Sequence, residues 1–307
     1  MTEHREGDDL AEATVGREAG PFGRPAAMGS GAVQHRVARP DGAEIVWYDD
    51  GVGGDEVAET VLLIMGLGYP AAMWYRTIPA LADRYRLISV DNRGAGRTGD
   101  VVGAPYAVET MTADLLAVLD AAGVEQAHVV GISMGGTMAQ ELALSHPQRV
   151  RSLTLMATHP GAAVAVWDAE ALNVLSSRGD VGLRAAAEMS VPFNYAPDTS
   201  RERIEQDWAI RFPLACTAAG YAAQLGGTNV WAGLERLPTL ALPTLVLHGD
   251  LDRLVPTENG RILADAIPDA ELQIVIGANH LLITDRTDEV NRLLLEWLDR
   301  QSEPAPR

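Results

Sequence analysis

A serine between two glycines is the residue of this sequence best placed to do chemistry, in the segment Gly131-Ile132-Ser133-Met134-Gly135. An apolar run over residues 127–132 leads into the serine, and a helix-like stretch over residues 137–145 follows it. The order strand, one-residue corner, helix predicts a strained turn that holds the Ser133 hydroxyl clear of a sheet. Glycines fit both flanks, since a Cβ there would crowd the neighbouring strand or helix. The alternative is a serine that only caps a helix.

A base for this serine must come from a distant part of the chain, because a hydroxyl alone is a weak nucleophile. The sequence has seven histidines. We predict that His280 is the base, since it lies in a Gly/Ala/Asn loop directly after a strand predicted over residues 271–276. His159 and His248 also lie at strand ends and remain competitors.

A carboxylate is needed to fix the tautomer of the imidazole and to stabilise the imidazolium. Asp250 and Asp252 both follow an apolar strand that ends at Leu247. We predict that Asp252 is the partner of His280, because the chain leaves the sheet directly after it, and that Asp250 caps the turn. Ser133, Asp252 and His280 then follow successive strands in the order nucleophile, acid, base.

The composition limits the partners of the protein. Its 307 residues are 47% hydrophobic and 21% charged, with a net charge of -18, so phosphate backbones and anionic membranes are repelled. No apolar run approaches the roughly 18 residues of a membrane span, and no secretory signal is evident. The single cysteine, Cys216, excludes an internal disulfide and has no neighbours at metal-ligand spacing. We expect a cytoplasmic protein that binds no metal, nucleic acid or membrane.

Strands and helices alternate along most of the chain, which predicts a mostly parallel sheet with helices on both faces. Continuous apolar runs over residues 61–65 and 86–90 are typical of strands that are covered on both sides. A helix is predicted between them, over residues 74–84. In such a sheet, ligands bind at the carboxyl ends of the strands, where Ser133 and the other polar loops are expected.

The pattern divides the chain into three parts. Residues 1–32 lack an apolar period and are predicted to be a flexible tail. Residues 33–158 and 238–300 are predicted to form the α/β core. Residues 159–237 show only helical stretches and are rich in aromatic side chains, which predicts a helical lid over Ser133. The alternative is that these aromatics only attach the helices to the sheet.

From residue 44 to residue 298 the chain resembles the α/β-hydrolase fold superfamily. Four motifs in the expected order carry this resemblance, at residues 91–98, 131–136, 248–256 and 277–280. Within the superfamily the chain looks most like small esterases and lactonases, such as 3-oxoadipate enol-lactonases and polyketide methylesterases. The resemblance implies hydrolysis of a small ester or lactone through an acyl-enzyme on Ser133, without a cofactor.

The resemblance also implies an oxyanion hole made by backbone N–H groups of Leu67 and Met134. Residues 65–68 read Met-Gly-Leu-Gly, where the family often has His-Gly, but backbone donors need no particular side chain. Gly66, Tyr69 and Trp74 are predicted to bind substrate. Asn279 replaces the glycine common before the histidine, and we expect it to tolerate a left-handed backbone there.

Three questions stay open at the level of sequence. The same residues serve carbon–carbon bond hydrolysis of a diketone as well as ester or lactone cleavage. A non-catalytic protein that holds an apolar ligand is the alternative from another class, although binding alone does not require Ser133, Asp252 and His280 together. The oligomeric state, a homodimer included, does not follow from the residues.

Overall fold

The structure, a computed structural model, describes residues 32–50, 58–101, 105–177 and 181–302. Its strands are β1 (Val33–Ala38), β2 (Glu44–Asp50), β3 (Thr60–Ile64), β4 (Arg86–Val90), β5 (Ala127–Ile132), β6 (Val150–Met156), β7 (Thr244–Gly249) and β8 (Glu271–Val275). These strands form one sheet in the order β1-β2-β4-β3-β5-β6-β7-β8. The pairs that involve β1 or β2 are antiparallel and the others are parallel. The predicted mostly parallel sheet is therefore confirmed.

Helices cover both faces of this sheet. They are α1 (Ile78–Leu81), α2 (Val108–Ala121), α3 (Met134–Ser145), α4 (Ala169–Ser177), α5 (Leu183–Asn194), α6 (Arg201–Arg211), α7 (Ala218–Val230), α8 (Glu258–Ala266), α9 (Leu282–Asp285) and α10 (Thr287–Ser302). One apolar core joins the sheet to α2, α3 and α8, and a second joins its other face to α1, α9 and α10. No helix in the described part of the chain is long and apolar enough to cross a bilayer.

The central strands are easily predicted because they are buried along their whole length. Every residue of β3 and of β5 is buried, as expected for parallel strands with helices on both faces. In contrast, β1 was not predicted, because it lies at the edge of the sheet and is largely exposed. Its sequence, VQHRVA, therefore carries little apolar signal. One of its polar residues, His35, stacks on Trp47 with ring centroids 4.2 Å apart.

The helix predicted over residues 74–84 is wrong in its bounds. A 3₁₀ helix over Ala71–Arg76 comes first, and a separate short helix, α1, follows it. Pro79 occupies the first turn of α1, where the missing proline N–H costs no intrahelical hydrogen bond. The proline therefore favours a new helix start at this point rather than one continuous helix.

The helices α4 to α7 all lie between β6 and β7, within the predicted insertion over residues 159–237. Of these, α7 packs very closely against the loop that follows β4. A Cβ on Gly227 would lie 1.7 Å from the carbonyl oxygen of Tyr106, and one on Gly220 would lie 2.4 Å from Asp100 Oδ1. Only glycines permit this contact. Residues 1–31 of the predicted tail lie outside the described residues.

Candidate active site

Ser133 occupies a strained corner between β5 and α3. Its backbone φ is 56° and its ψ is -121°, a conformation that residues with a Cβ rarely adopt. A Cβ on Gly131 would lie 2.2 Å from the carbonyl oxygen of Gly135, and one on Gly135 would lie 2.2 Å from that of Ile64. Both glycines are therefore required, as the sequence predicts, and the second lets α3 begin directly against the end of β3.

His280 and Asp252 form a buried hydrogen-bonded pair. The distance from His280 Nδ1 to Asp252 Oδ2 is 2.9 Å, and the other carboxylate oxygen accepts a hydrogen bond of 2.9 Å from the backbone N–H of Val255. Burial raises the pKa of Asp252, but the neighbouring His280 and His248 outweigh burial and hold that pKa below its ordinary value. Asp252 is therefore an anion that can orient the imidazole and stabilise its protonated form.

One cavity brings Ser133 and His280 together. Among the described residues, no hydrogen bond joins the Ser133 hydroxyl to His280, but both line the same cavity beside Gly66, Leu67 and Met134. Tyr69 lines it as well.

The position of Trp74 does not agree with the prediction that it binds substrate. Trp74 is fully buried in an apolar core and is absent from the cavity lining, because the 3₁₀ helix turns its side chain into the protein.

Hydrogen bonds from two side chains to the backbone fix the loop that follows β3. The side chain of Asn92 donates to the carbonyl oxygen of Met65 over 2.9 Å, and the N–H of Gly68 donates to Gln224 Oε1 over 2.8 Å. Between these two anchors, the N–H of Leu67 has no acceptor among the described residues, and neither has the N–H of Met134 at the start of α3. Two free donors beside Ser133 are suited to a developing oxyanion.

Gln224 is a residue that the sequence did not single out. It is fully buried on α7 and also donates through Nε2 to the carbonyl oxygen of Arg93 over 2.5 Å. One side chain of the insertion thus holds both the loop after β3 and the loop after β4. A lone glutamine in an apolar helix is the only signal in the sequence, and it does not say which backbone groups the side chain meets.

Asn279 stabilises the histidine loop in a way that differs from the prediction. The left-handed backbone in this loop occurs at Gly277, with φ of 72°, and not at Asn279. Instead, Asn279 Oδ1 accepts hydrogen bonds from the N–H groups of His280 and Arg253, while Nδ2 donates to the carbonyl oxygens of Pro192 and Tyr195. Asn279 therefore links the loops of His280 and Asp252 to the end of α5.

The competing histidines are held in other roles. His248 is fully buried, lies 2.7 Å through Nε2 from the carbonyl oxygen of Val255, and does not line the cavity. His159 does line the cavity, but its Nδ1 accepts a hydrogen bond of 3.1 Å from the N–H of Gly161. Burial lowers the pKa of His159 to about 4, so this imidazole is neutral near pH 7 and a weak base.

Asp250 was predicted to cap the turn after β7, but its side chain bonds across to the loop that follows β8. Its Oδ1 accepts a hydrogen bond of 2.6 Å from the N–H of Gly277, which ties the loop of Asp252 to the loop of His280. No group of three or more His, Cys, Asp or Glu side chains suited to a metal ion occurs among the described residues. The edge of the cavity holds a serine hydroxyl, an imidazole paired with a carboxylate, and two backbone N–H groups without acceptors among the described residues.

A mostly parallel sheet with a serine corner after β5, a carboxylate after β7 and a histidine after β8 defines the α/β-hydrolase architecture. The sequence agrees with this class, because the family model for the alpha/beta hydrolase fold matches residues 59–287. The chain belongs to the α/β hydrolase-fold family.

Relatives within this family have several kinds of activity in their names. A putative carbamate hydrolase from Azorhizobium caulinodans is 34% identical over 240 residues, which are 76% of this chain and 89% of the relative. A thermophilic esterase from Thermogutta terrifontis is similar in structure, with a TM-score of 0.74 and 26% identity, over 89% of this chain and 100% of the esterase. Est816, an N-acyl homoserine lactone degrading enzyme, has a TM-score of 0.73 and 27% identity, over 85% and 99% of the two chains.

Proposed function

We propose that this protein is a serine hydrolase that cleaves a carboxylic ester or a lactone through an acyl-enzyme on Ser133. The observation that carries the proposal is the 2.9 Å hydrogen bond between His280 Nδ1 and Asp252 Oδ2, at a cavity that Ser133 also lines. A carboxylate on Nδ1 keeps the proton there and leaves the Nε2 lone pair free to accept a proton. Nε2 of His280 has no partner among the described residues.

In the first step, Ser133 Oγ attacks the substrate carbonyl carbon while His280 Nε2 takes the hydroxyl proton. The N–H groups of Leu67 and Met134 hold the oxyanion of the tetrahedral intermediate. Each donor contributes on the order of 3 kcal/mol to the stabilisation of the transition state. When the intermediate collapses, the bond to the leaving oxygen breaks and the imidazolium donates its proton to that oxygen.

In the second step, water attacks the acyl-enzyme by the same route. His280 accepts a proton from the water, the same backbone donors hold the second oxyanion, and Ser133 leaves with the proton that His280 returns. Asp252 is ionised throughout, because the pKa of this carboxyl is held below its ordinary value. The products are a carboxylic acid and an alcohol, which remain one molecule when the substrate is a lactone.

The cavity supports a substrate with an apolar portion. Its lining includes leucines from the insertion and from the loop after β7, with an aromatic ring beside them: Leu172, Leu175, Leu225, Leu254 and Trp167. The names of the Thermogutta terrifontis esterase and of the lactone-degrading Est816 agree with an ester or lactone bond. The helices of the insertion then act as the lid predicted from the sequence, because they provide much of this lining.

A carbamate is the second candidate substrate. The relative from Azorhizobium caulinodans is named a putative carbamate hydrolase, and the match covers 89% of its length. A carbamate carbonyl accepts the same attack by Ser133, but a nitrogen leaving group must be protonated before it departs. That proton would come from His280, so the same residues serve both reactions and only the substrate distinguishes them.

Labelling with a fluorophosphonate tests the nucleophile directly. We expect one covalent adduct per chain, located on Ser133 by peptide mass spectrometry, and no adduct in Ser133→Ala or after removal of the imidazole in His280→Ala. An adduct on another serine, or equal labelling of the Ser133→Ala variant, contradicts the proposal.

A substrate panel tests the bond that is cleaved. Purified protein is given a butyrate ester, a γ-lactone, an N-alkyl carbamate and a β-diketone, and products are identified by NMR. Turnover of the ester or the lactone that Ser133→Ala abolishes supports the proposal. Preferential cleavage of the carbamate supports the second candidate substrate. Preferential cleavage of the diketone indicates a carbon–carbon bond hydrolase. Tight binding with no turnover of any compound assigns a ligand-binding protein.

A further inference from the structure

A buried polar cluster lies at one edge of the cavity. Tyr69 lines the cavity two residues beyond Leu67, on the loop that follows β3. Its hydroxyl oxygen accepts a hydrogen bond of 3.1 Å from Asn194 Nδ2 and one of 3.0 Å from Arg211 Nη1. The three residues come from the core, from α5 and from α6, so the folded insertion assembles the cluster.

The Tyr69 hydroxyl keeps its own proton for a further partner. A phenol oxygen accepts up to two hydrogen bonds and donates one. Asn194 and Arg211 use the accepting positions, and no described residue accepts the proton of Tyr69. A guanidinium that donates to the oxygen withdraws electron density from it and makes the O–H a stronger donor. Tyr69 therefore presents a polarised O–H group at the cavity.

The charge of Arg211 is not balanced by a carboxylate. Arg211 is only 8% exposed, and its guanidinium lies 4.0 Å from the centroid of the Tyr69 ring. Among the described residues, no Asp or Glu oxygen lies within 4.0 Å of it, although Asp207 is one helical turn earlier on α6. A buried cation without a counter-charge is unfavourable unless an anion joins it.

Asp207 is unavailable to Arg211 because other groups surround its carboxylate. Tyr75 and Thr284 each donate to it over 2.7 Å, and Arg76 Nε lies 3.5 Å from it. Two further polar atoms of the cluster also lack partners among the described residues, Asn194 Oδ1 and Arg211 Nε, although Asn194 is only 2% exposed and lines the cavity. Asn194 Oδ1 is an acceptor and does not bind an anion, so Asn194 serves the cluster through Nδ2, which holds the Tyr69 hydroxyl. The cluster thus has one positive charge without a carboxylate partner and one unused N–H donor, Arg211 Nε.

We propose that Tyr69, Asn194 and Arg211 form a subsite for a carboxylate on the acyl part of the substrate. The inference rests on the proposed function, and it narrows the substrate to a half-ester or a carboxy-substituted lactone. The Tyr69 O–H donates to the carboxylate, and Arg211 supplies the opposite charge from behind the ring. The leucines of the cavity contact the methylene chain between the carboxylate and the scissile carbonyl.

Paired substrates that differ in one charge test this subsite. We compare monomethyl glutarate with methyl pentanoate, which are similar in length, by the ratio of their kcat/KM values in an NMR assay. We expect the wild type to favour the half-ester by about tenfold or more, as for a hydrogen bond to a charged group. Tyr69→Phe and Arg211→Met should each reduce this ratio by about tenfold. A wild-type ratio at or below one overturns the subsite.

Tyr85→Phe is the matched control. Tyr85 is also a buried tyrosine and donates to a carboxylate, that of Asp299, over 2.8 Å, but it does not line the cavity and does not contact Arg211 or Asp207. Its loss should leave the substrate ratio unchanged, while thermal unfolding of all three variants shows that they fold. If Tyr85→Phe lowers the ratio as much as Tyr69→Phe, a general loss of stability explains the effect and the subsite is rejected.

A binding measurement separates failure of the subsite from failure of the proposed function. Glutarate and dimethyl glutarate are titrated by calorimetry into Ser133→Ala, a variant in which turnover plays no part. Saturable binding of glutarate that Arg211→Met weakens about tenfold supports the subsite even if no ester is cleaved. Equal binding of the two compounds, or equal binding of glutarate with and without Arg211, overturns it. Ester cleavage without any of these preferences leaves the serine hydrolase intact and removes only the subsite.

Discussion

The sheet carries a serine, a histidine and a carboxylate at each of its two ends. At the carboxyl ends of the parallel strands lie Ser133, His280 and Asp252, described above. At the opposite end, His128 of β5 pairs in register with Ser152 of β6 and contacts Glu59, just before β3. The distance from His128 Nδ1 to Ser152 Oγ is 2.8 Å, and that from Nε2 to Glu59 Oε2 is 3.1 Å.

In the set at the opposite end, the histidine lies within hydrogen-bond distance of both the serine and the carboxylate, whereas His280 is bonded to the carboxylate alone. The surroundings of Ser152 are nevertheless not those of a nucleophile. Ser152 is fully buried within β6, and none of the three residues of this set lines the cavity. No helix begins beside Ser152, whereas α3 begins directly after Ser133 and leaves N–H donors for an oxyanion. A chain of hydrogen bonds is therefore not sufficient. The strained corner, the backbone donors and the cavity distinguish the candidate site.

Replacement of each serine in turn by alanine should give the largest difference in activity between the two ends of the sheet. Ser133→Ala should lower kcat by roughly four to six powers of ten, because the nucleophile is lost while binding remains. Ser152→Ala should leave kcat within about twofold, but it should lower the free energy of unfolding by about 1–3 kcal/mol, since His128 Nδ1 loses its partner in the interior. Ester hydrolysis and urea unfolding measure the two effects. A large loss of activity in Ser152→Ala would remove the distinction.

Replacement of the two carboxylates should separate the ends further. Asp252→Asn should lower kcat by about ten-thousandfold, since an amide oxygen does not stabilise the imidazolium and the other tautomer becomes favoured. Glu59→Gln should change kcat by less than about twofold, because its side chain lies at the far end of the strands. Steady-state kinetics measures both values, with circular dichroism as the check on folding. Comparable losses of kcat in the two variants would contradict the proposal that Asp252 orients the histidine for catalysis.

The smallest effect concerns pH and stability. The unfolded chain protonates His159 near pH 6.5 and the folded chain only near pH 4, so the unfolded state binds more protons between these values and stability falls as the pH drops. From pH 7 to pH 5 this linkage should cost about 2 kcal/mol. His159→Gln should remove that loss, and urea unfolding at the two pH values measures it.

His128 is the matched comparison at the other end. Burial also lowers the pKa of His128, although Glu59 opposes the shift, so its contribution to acid sensitivity has the same sign. His128→Gln should therefore reduce the loss of stability between pH 7 and pH 5 as well. Identical pH dependence in the wild type and both variants would show that folding lowers the pKa of neither imidazole.

Sequence predicts features that depend on local order better than those that depend on packing. The serine corner, the buried strands and the loops of Asp252 and His280 follow from residues that are neighbours in the chain, and the parallel sheet then brings the loops to one edge. The set at the other end was not predicted, because its residues come from near the start of two strands and from the position just before a third, which are far apart in the chain. No motif marks such a meeting.

The errors have the same origin. Trp74 was predicted to bind substrate from its place after a loop, but a turn of 3₁₀ helix directs it into the core instead. The sequence did not indicate Asn194 or Arg211, because the helical pattern of the insertion does not say which of its side chains lie near the cavity. Side-chain direction depends on tertiary packing, which a single sequence does not specify.

The glycines of α7 have a consequence for how this protein can diversify. Because Gly220 and Gly227 place the helix in direct contact with the loop after β4, the wall that it provides to the cavity is held at a fixed position relative to Ser133. New specificities are then reached by exchange of the side chains that project from this wall, Leu225, Thr228 and Asn229, and not by displacement of the helix.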